Sequence, residues 1–177
     1  MQSGNQATVS NISNILGNGK ITIRATNTLV SNTIDIDSDI SVFGKLQVAS
    51  NVTTRTQLVG NVGADIDIDG ELQSPKLVVN DESNMDVGSL RGLNGGLLEE
   101  VRNDGSLTVK ETMDTKVLRQ KKANAILNIK NIYVDTEIEN QGHIIANQVN
   151  AEKVGNSGTG NLWQPVKRLR QFYRFDC

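Results

Sequence analysis

The stretch IENQGHIIANQVNAEKVGNSGTGNL, residues 138–162, decides how the rest of the chain is read. Asn140-Gln141-Gly142 and Asn156-Ser157-Gly158 are both turn chemistry, because Asn and Gly enter tight or left-handed backbone conformations at low cost. Between the two turns the apolar residues Ile144, Val149 and Val154 recur among polar ones, which suits very short strands that meet at immediate corners.

The same phrases return elsewhere. Gly followed by an alternating apolar pair occurs at Gly19-Lys20-Ile21-Thr22-Ile23, Gly44-Lys45-Leu46-Gln47-Val48 and Gly105-Ser106-Leu107-Thr108-Val109, with degenerate copies at Gly70 and Gly142. A Val-small-Asn unit recurs at Val9-Ser10-Asn11, Val30-Ser31-Asn32, Val59-Gly60-Asn61 and Val154-Gly155-Asn156. NTIDID (32–37) and ADIDID (64–69) are near copies. Repeats some 20 to 50 residues apart are the signature of a solenoid, in which no single turn buries its own apolar row. Alternation assigns Ile21 and Ile23, Ile34 and Ile36, Leu46 and Val48, and Ile66 and Ile68 to inward rows.

Composition agrees with a thin stacked sheet. Aromatic residues make up 3% of the 177 residues and there are two prolines, so β-branched and leucine side chains supply the core. The formal charge of −2 provides no global field toward nucleic acid. Cys177 is the lone cysteine, which excludes an internal disulfide. No apolar run is long enough for a transmembrane helix, and the first 20 residues lack the pattern of a signal peptide.

Residues 81–104 break the rhythm and read as a loop or an irregular rung. Residues 111–123 carry helix formers, yet VKETMDTKV alternates, and strand is the favoured reading. The end of the chain differs in kind. Four of the six aromatic residues (Trp163, Phe172, Tyr173 and Phe175) lie there with Lys167, Arg168, Arg170 and Arg174. Trp163, Val166, Leu169 and Tyr173 recur at intervals of 3, 3 and 4, which predicts a short amphipathic helix after Pro165. The expected organisation is therefore a β-solenoid over 1–160 and an aromatic-basic segment over 161–177. That segment either caps the last rung or docks onto an acidic partner or a membrane surface.

The phrases NDGSLTV, NQGHIIA and NSGTGNL resemble the haemagglutinin-type repeats of filamentous haemagglutinins and contact-dependent-inhibition exoproteins, which are bacterial two-partner-secreted surface proteins. The resemblance implies a right-handed parallel β-helix and a structural or adhesive segment of an exoprotein, secreted or on the cell surface, without catalytic residues. Its partners would be a protein or carbohydrate surface ligand, or further copies joined through the solenoid ends. DIDIDGELQSPKLVV is also similar to bactofilins, and that likeness implies a cytoplasmic polymer-forming scaffold. A third reading is a polysaccharide-active β-helix enzyme.

The chemistry-bearing residues are few. Asp35, Asp37, Asp67 and Asp69 alternate with Ile. If the two copies stacked, their carboxylates would form an outward column able to hold Ca²⁺ or to serve as an acid and base on a sugar. The simpler reading is the solvated side of two strands. His143 is the only histidine, which excludes a multi-histidine metal site. GNGKIT (17–22) lacks the spacing of a phosphate loop and reads as a turn, and the acceptor patterns at Asn11 and Asn51 are unremarkable in an Asn-rich chain.

Overall fold

The computed structural model describes residues 8–157 and, for the backbone alone, residues 161–163 and 168–175. The chain is all-β and winds as a parallel β-solenoid of about eight turns.

The strands in chain order are β1 (Val9–Gly17), β2 (Ile21–Ile23), β3 (Thr28–Ile36), β4 (Ile40–Val42), β5 (Lys45–Val48), β6 (Val52–Thr54), β7 (Gln57–Gly60) and β8 (Asp65–Gln73). They continue with β9 (Lys76–Val79), β10 (Asn84–Arg91), β11 (Glu100–Asn103), β12 (Ser106–Gln120), β13 (Ile126–Asn140), β14 (His143–Ser157), β15 (Asn161–Trp163) and β16 (Arg168–Phe175). All pairings are parallel, and they build three ladders that run along the solenoid. From β12 onward one long, bent strand covers what earlier turns divide into two or three.

Register shows how the core is assembled. On the first ladder Leu46 lies beside Leu29 and Ile66, and the row continues through Met85, Leu107, Leu127 and Ile144. On the second, Ile34, Val52, Leu72, Leu90, Met113, Ile132 and Val149 stack. On the third, Ile40, Leu58, Leu77, Val101, Leu118, Ile138 and Val154 do the same. All these side chains are buried and belong to one continuous cluster. Each buried Ile, Leu or Val contributes about 1.5 to 3 kcal/mol relative to exposure, and the turn above or below supplies the cover. The inward assignments at Ile23, Ile34, Ile36, Leu46, Val48, Ile66 and Ile68 hold, and Ile21 in the first turn is partly covered.

Residues 81–104 form an irregular rung: β10, a 3₁₀ turn at Leu93–Gly95, and β11. Leu98 still bridges Thr115, so the excursion leaves the stack and rejoins it. The alternating reading of residues 111–120 is correct, since they lie within β12.

Among the described residues the expected C-terminal helix is not present. The described part of the tail is strand, with β15 and β16 pairing parallel to β14. The misreading has a physical cause. Inward residues along β14 are Ile144, Ala146, Val149, Ala151 and Val154, at intervals of 2, 3, 2 and 3, because two alternating positions on each flat segment are followed by one extra residue at each bend. In β16 the interval from Leu169 to Phe172, whose register partners are Ala151 and Val154, is such a bend. Intervals of 3 in a solenoid imitate the period of a helix.

Corners between the third and first ladders come in two kinds. The four-residue turns 24–27, 61–64, 80–83 and 122–125 each close with a backbone hydrogen bond from the fourth N–H to the first carbonyl, at 2.9–3.2 Å. The two-residue corners Phe43-Gly44, Asp104-Gly105 and Gln141-Gly142 each lie against one of these turns. The residue ahead of the first-ladder strands β3, β5, β8, β10, β12, β13 and β14 is Asn27, Gly44, Ala64, Ser83, Gly105, Ala125 or Gly142, a small residue in six of these seven cases. In the 61–64 turn the third position is Gly63 at φ 77°, and in the 80–83 turn it is Glu82 at φ 58°. A left-handed Glu carries a steric penalty that glycine does not. Glu82→Gly is therefore expected to raise stability by about 0.5 to 1 kcal/mol, read as a higher urea midpoint at unchanged slope. A lower midpoint would show that the glutamate side chain contributes more than its backbone costs.

Candidate functional site

The outward faces are organised by charge pairing between turns. On the third ladder Lys76, Glu100, Arg119 and Glu139 alternate in sign along the axis. Lys76 Nζ lies 2.7 Å from Glu100 Oε2, Arg119 Nη1 2.6 Å from Glu100 Oε1, and Arg119 Nε 3.0 Å from Glu139 Oε2. Lys153 Nζ approaches Glu137 Oε1 at 2.8 Å on the same side. The first ladder carries Lys45–Asp65 at 2.8 Å, and that hydrogen bond, with the aspartate charge, raises the lysine pKa.

Glu100 is the hub of the longest run. Its hydrogen bond from Lys76 lowers its pKa; burial opposes the shift, and the bond from Arg119 reinforces it. Because the folded-state pKa lies below the ordinary value of 4.5, the unfolded chain binds the proton more readily. The contribution is complete above that ordinary value and disappears as pH falls through the lower, folded-state one. Glu100→Gln is expected to cost about 1 kcal/mol at neutral pH, the scale of a partly exposed network. The difference between wild type and variant should close on acidification. A difference that stays constant from neutral to strongly acidic pH would remove Glu100 from the acid response.

The structure separates the four aspartates picked out as a possible calcium column. Ile34 and Ile36 belong to the second ladder, beside Val52 and Thr54, whereas Ile66 and Ile68 belong to the first, beside Leu46 and Val48. The near copies NTIDID and ADIDID therefore occupy different faces and do not stack. Asp35 and Asp37 bracket Arg55, whose Nη1 donates to Asp35 Oδ1 and whose Nε lies 3.0 Å from Asp37 Oδ1. Asp69 faces Lys110 at 3.4 Å, and Asp67 lies beside Gln47 and Asp86 in register. Among the described residues no three His, Cys, Asp or Glu side chains converge as a metal site would require. A shallow depression of about 440 Å³ beside Asp35 and Asp37 also includes Arg55, a cation already placed between the carboxylates.

Of the tail residues proposed for interaction, Trp163 lies in β15, and Arg168, Arg170, Phe172, Tyr173 and Arg174 lie in β16. Lys167 lies outside the described residues. His143 begins β14 at a half-buried position next to Ile126 in register.

Pattern reading missed a polar row inside the solenoid. The position that ends the third ladder is Val42, then Gly60, Val79 and Asn103 in register, and in the later turns Gln120, Asn140 and Asn156 are register partners of one another. Asn103, Gln120 and Asn140 are buried. The first and third of these explain the recurring Asn-x-Gly phrase. Asn103 Oδ1 accepts from Gly105 N at 3.3 Å and Asn140 Oδ1 from Gly142 N at 3.0 Å, so each side chain closes its own two-residue corner. The amide nitrogens then reach the next turn: Asn103 Nδ2 donates to the Ile126 carbonyl and Asn140 Nδ2 to Asn156 Oδ1, both at 2.8 Å. Gln120 is the exception, for neither Oε1 nor Nε2 has a protein partner. The phrase itself was the available signal. What it concealed was that its asparagines face inward.

No protein-family model, curated protein or solved structure matches the chain. No helix among the described residues is long and apolar enough to cross a membrane.

Proposed function

We propose that the chain is a structural and adhesive rod, a β-helical segment of a bacterial surface exoprotein, and that it performs no catalysis. The observation that carries the reading is the division of labour between inside and outside. Apolar rows run unbroken from turn to turn, and the outward charges of the third ladder are engaged with one another along the axis. Such a body holds its two ends apart: with about 4.8 Å per turn, eight turns span roughly 40 Å. The Asn-x-Gly corners that prompted the haemagglutinin-repeat resemblance have a defined structural task in this rod, which supports the likeness. Antibody labelling of intact source cells tests the location. Surface labelling is the expected result, and labelling only after permeabilisation would overturn the exoprotein assignment.

One observation favours a second reading, an intracellular polymer-forming scaffold. Among the described residues β1 pairs with β3 alone, and Val9, Ile12 and Leu16 on it are exposed at 61%, 45% and 73%. An open strand edge with apolar neighbours is a template for another chain. Nucleotide-free filaments in negative-stain micrographs of purified protein, together with labelling confined to permeabilised cells, would establish that reading over the first.

A further inference from the structure

We propose that the first turn of the solenoid is an interface for a second copy of the chain, the two rods meeting end to end across a two-fold axis that passes through the bend of β1. Among the described residues β1 pairs with β3 alone and β2 with β4 alone, so both present an open edge. The devices that keep an edge strand from pairing are missing there. β1 is nine residues long, and neither a proline nor a charged side chain occurs before Lys20.

Register fixes which groups lie on that edge. Ser10, Ile12, Ile15 and Gly17 pair with the inward residues Leu29, Ser31, Ile34 and Ile36, whereas Val9, Asn11, Asn14 and Leu16 are the outward set. The Gly17 carbonyl accepts from Asp37 N at 2.9 Å and the Ile23 carbonyl from Phe43 N at 2.7 Å, so inward residues turn their backbone groups toward the next turn. The pleat therefore aims the N–H and C=O of Val9, Asn11, Asn14 and Leu16, and of Thr22 on β2, at the open edge. These positions are symmetric. Val9 and Leu16 lie equally far along the chain from the bend between Ile12 and Ser13, as do Asn11 and Asn14, and Thr22 is the midpoint of β2. A two-fold axis through the bend and through Thr22 sets Val9 opposite Leu16 and Asn11 opposite Asn14, twice each, and Thr22 opposite itself. Each becomes a hydrogen-bonded antiparallel pair. The exposed Val9 and Leu16 cover one another, asparagine meets asparagine, and the partly open inward row at Ile12, Ile15 and Ile21 continues into that of the second copy. The same axis sets Lys20 opposite Arg24, and both are exposed and free to diverge into solvent. The contact is closed: it joins two rods, does not by itself extend a filament, and is independent of where in the cell the rod is kept.

The test is sedimentation velocity of the full chain, together with oxidative cross-linking of cysteine variants. The expected result is a doubling of the sedimenting mass, with a dissociation constant on the order of micromolar. Asn11→Lys combined with Asn14→Lys puts lysine opposite lysine twice, and should return the chain to monomer with the circular dichroism spectrum of the folded protein. Asn11→Lys combined with Asn14→Glu puts lysine opposite glutamate at the same two places and should restore the dimer. In a Cys177→Ser background, Thr22→Cys should form a covalent dimer under mild oxidation, because the Cα atoms of such a pair lie about 5.5 Å apart, within disulfide reach. Val62→Cys, at an exposed position on a later turn, should not. A chain that stays monomeric at about 100 micromolar overturns the proposal, and so does a mass that grows past the dimer as concentration rises. Equal dissociation of the two charge variants, or cross-linking of Thr22→Cys no faster than that of Val62→Cys, overturns the two-fold register.

Discussion

Gly105→Ala is expected to lower the unfolding free energy by about 3 kcal/mol or more, a large effect for one added methyl group. A Cβ built on Gly105 would lie far inside 3.0 Å of two carbonyl oxygens, those of Asn80 and Ser83, and both belong to backbone that cannot rotate away. Each is already occupied. The Asn80 carbonyl accepts the Ser83 N–H that closes its four-residue turn, and the Ser83 carbonyl accepts from Ser106 N at 2.9 Å. Making room would break the turn, the ladder bond, or the Asn103–Gly105 contact that closes the corner. Gly142 stands in the same relation to the 122–125 turn, against the carbonyls of Ala125 and Lys122. Gly19 is the matched comparison, because nothing lies within 4 Å of a Cβ added there and its φ is not in the left-handed region. Gly19→Ala should change stability by no more than about 0.5 kcal/mol. Urea midpoints of the two variants against wild type decide the matter, and equal shifts would remove the steric account of the short corners.

Ile68→Asp is expected to cost still more, about 5 kcal/mol or above, enough to abolish the native fold of most small domains. Ile68 is 0% exposed and lies between Val48 and Val87 in register. A carboxylate there would be unpaired in an apolar row. The chain already tolerates aspartate at the adjacent positions, Asp67 and Asp69, because the pleat sends those side chains outward. The two outcomes differ by one residue of register. Ile68→Ala, which leaves a cavity and no charge, should cost about 2 to 5 kcal/mol. In a stack the damage spreads, since each turn covers the apolar row of its neighbours. Hydrogen exchange should therefore show residues 45–48 and 84–87 losing protection together with 65–68. Loss of protection confined to 65–68 would argue against a shared core.

Most of the architecture was legible in particular residues. The rows Ile34/Ile36, Leu46/Val48 and Ile66/Ile68 identify themselves as inward by alternation alone, and they are inward in the structure. The alternation of residues 111–120 outweighed their helix-forming composition, and β12 is the result. The tail was misread for the complementary reason. An inward residue every third position is shared by a helix and by a strand that bends at a solenoid corner, and composition does not separate the two.

The candidate sites show where sequence stops. Repetition of the IDID motif suggested that its two copies stack, but stacking depends on accumulated corner lengths. One extra or missing residue at a corner moves a strand relative to its neighbour, and the copies fall on the second and first ladders. The charge run through Lys76, Glu100, Arg119 and Glu139 joins residues up to 63 positions apart in the chain, and only parallel register makes it contiguous. By itself, then, the sequence determined the class of fold, the inward rows and the positions of several corners, because side-chain alternation and turn chemistry are local properties. Tertiary structure alone decided which carboxylate met which cation, that the Asn-x-Gly asparagines point inward, and that Gln120 is buried without a protein partner. Those facts depend on the register between turns, and register is set by the packing of the whole stack.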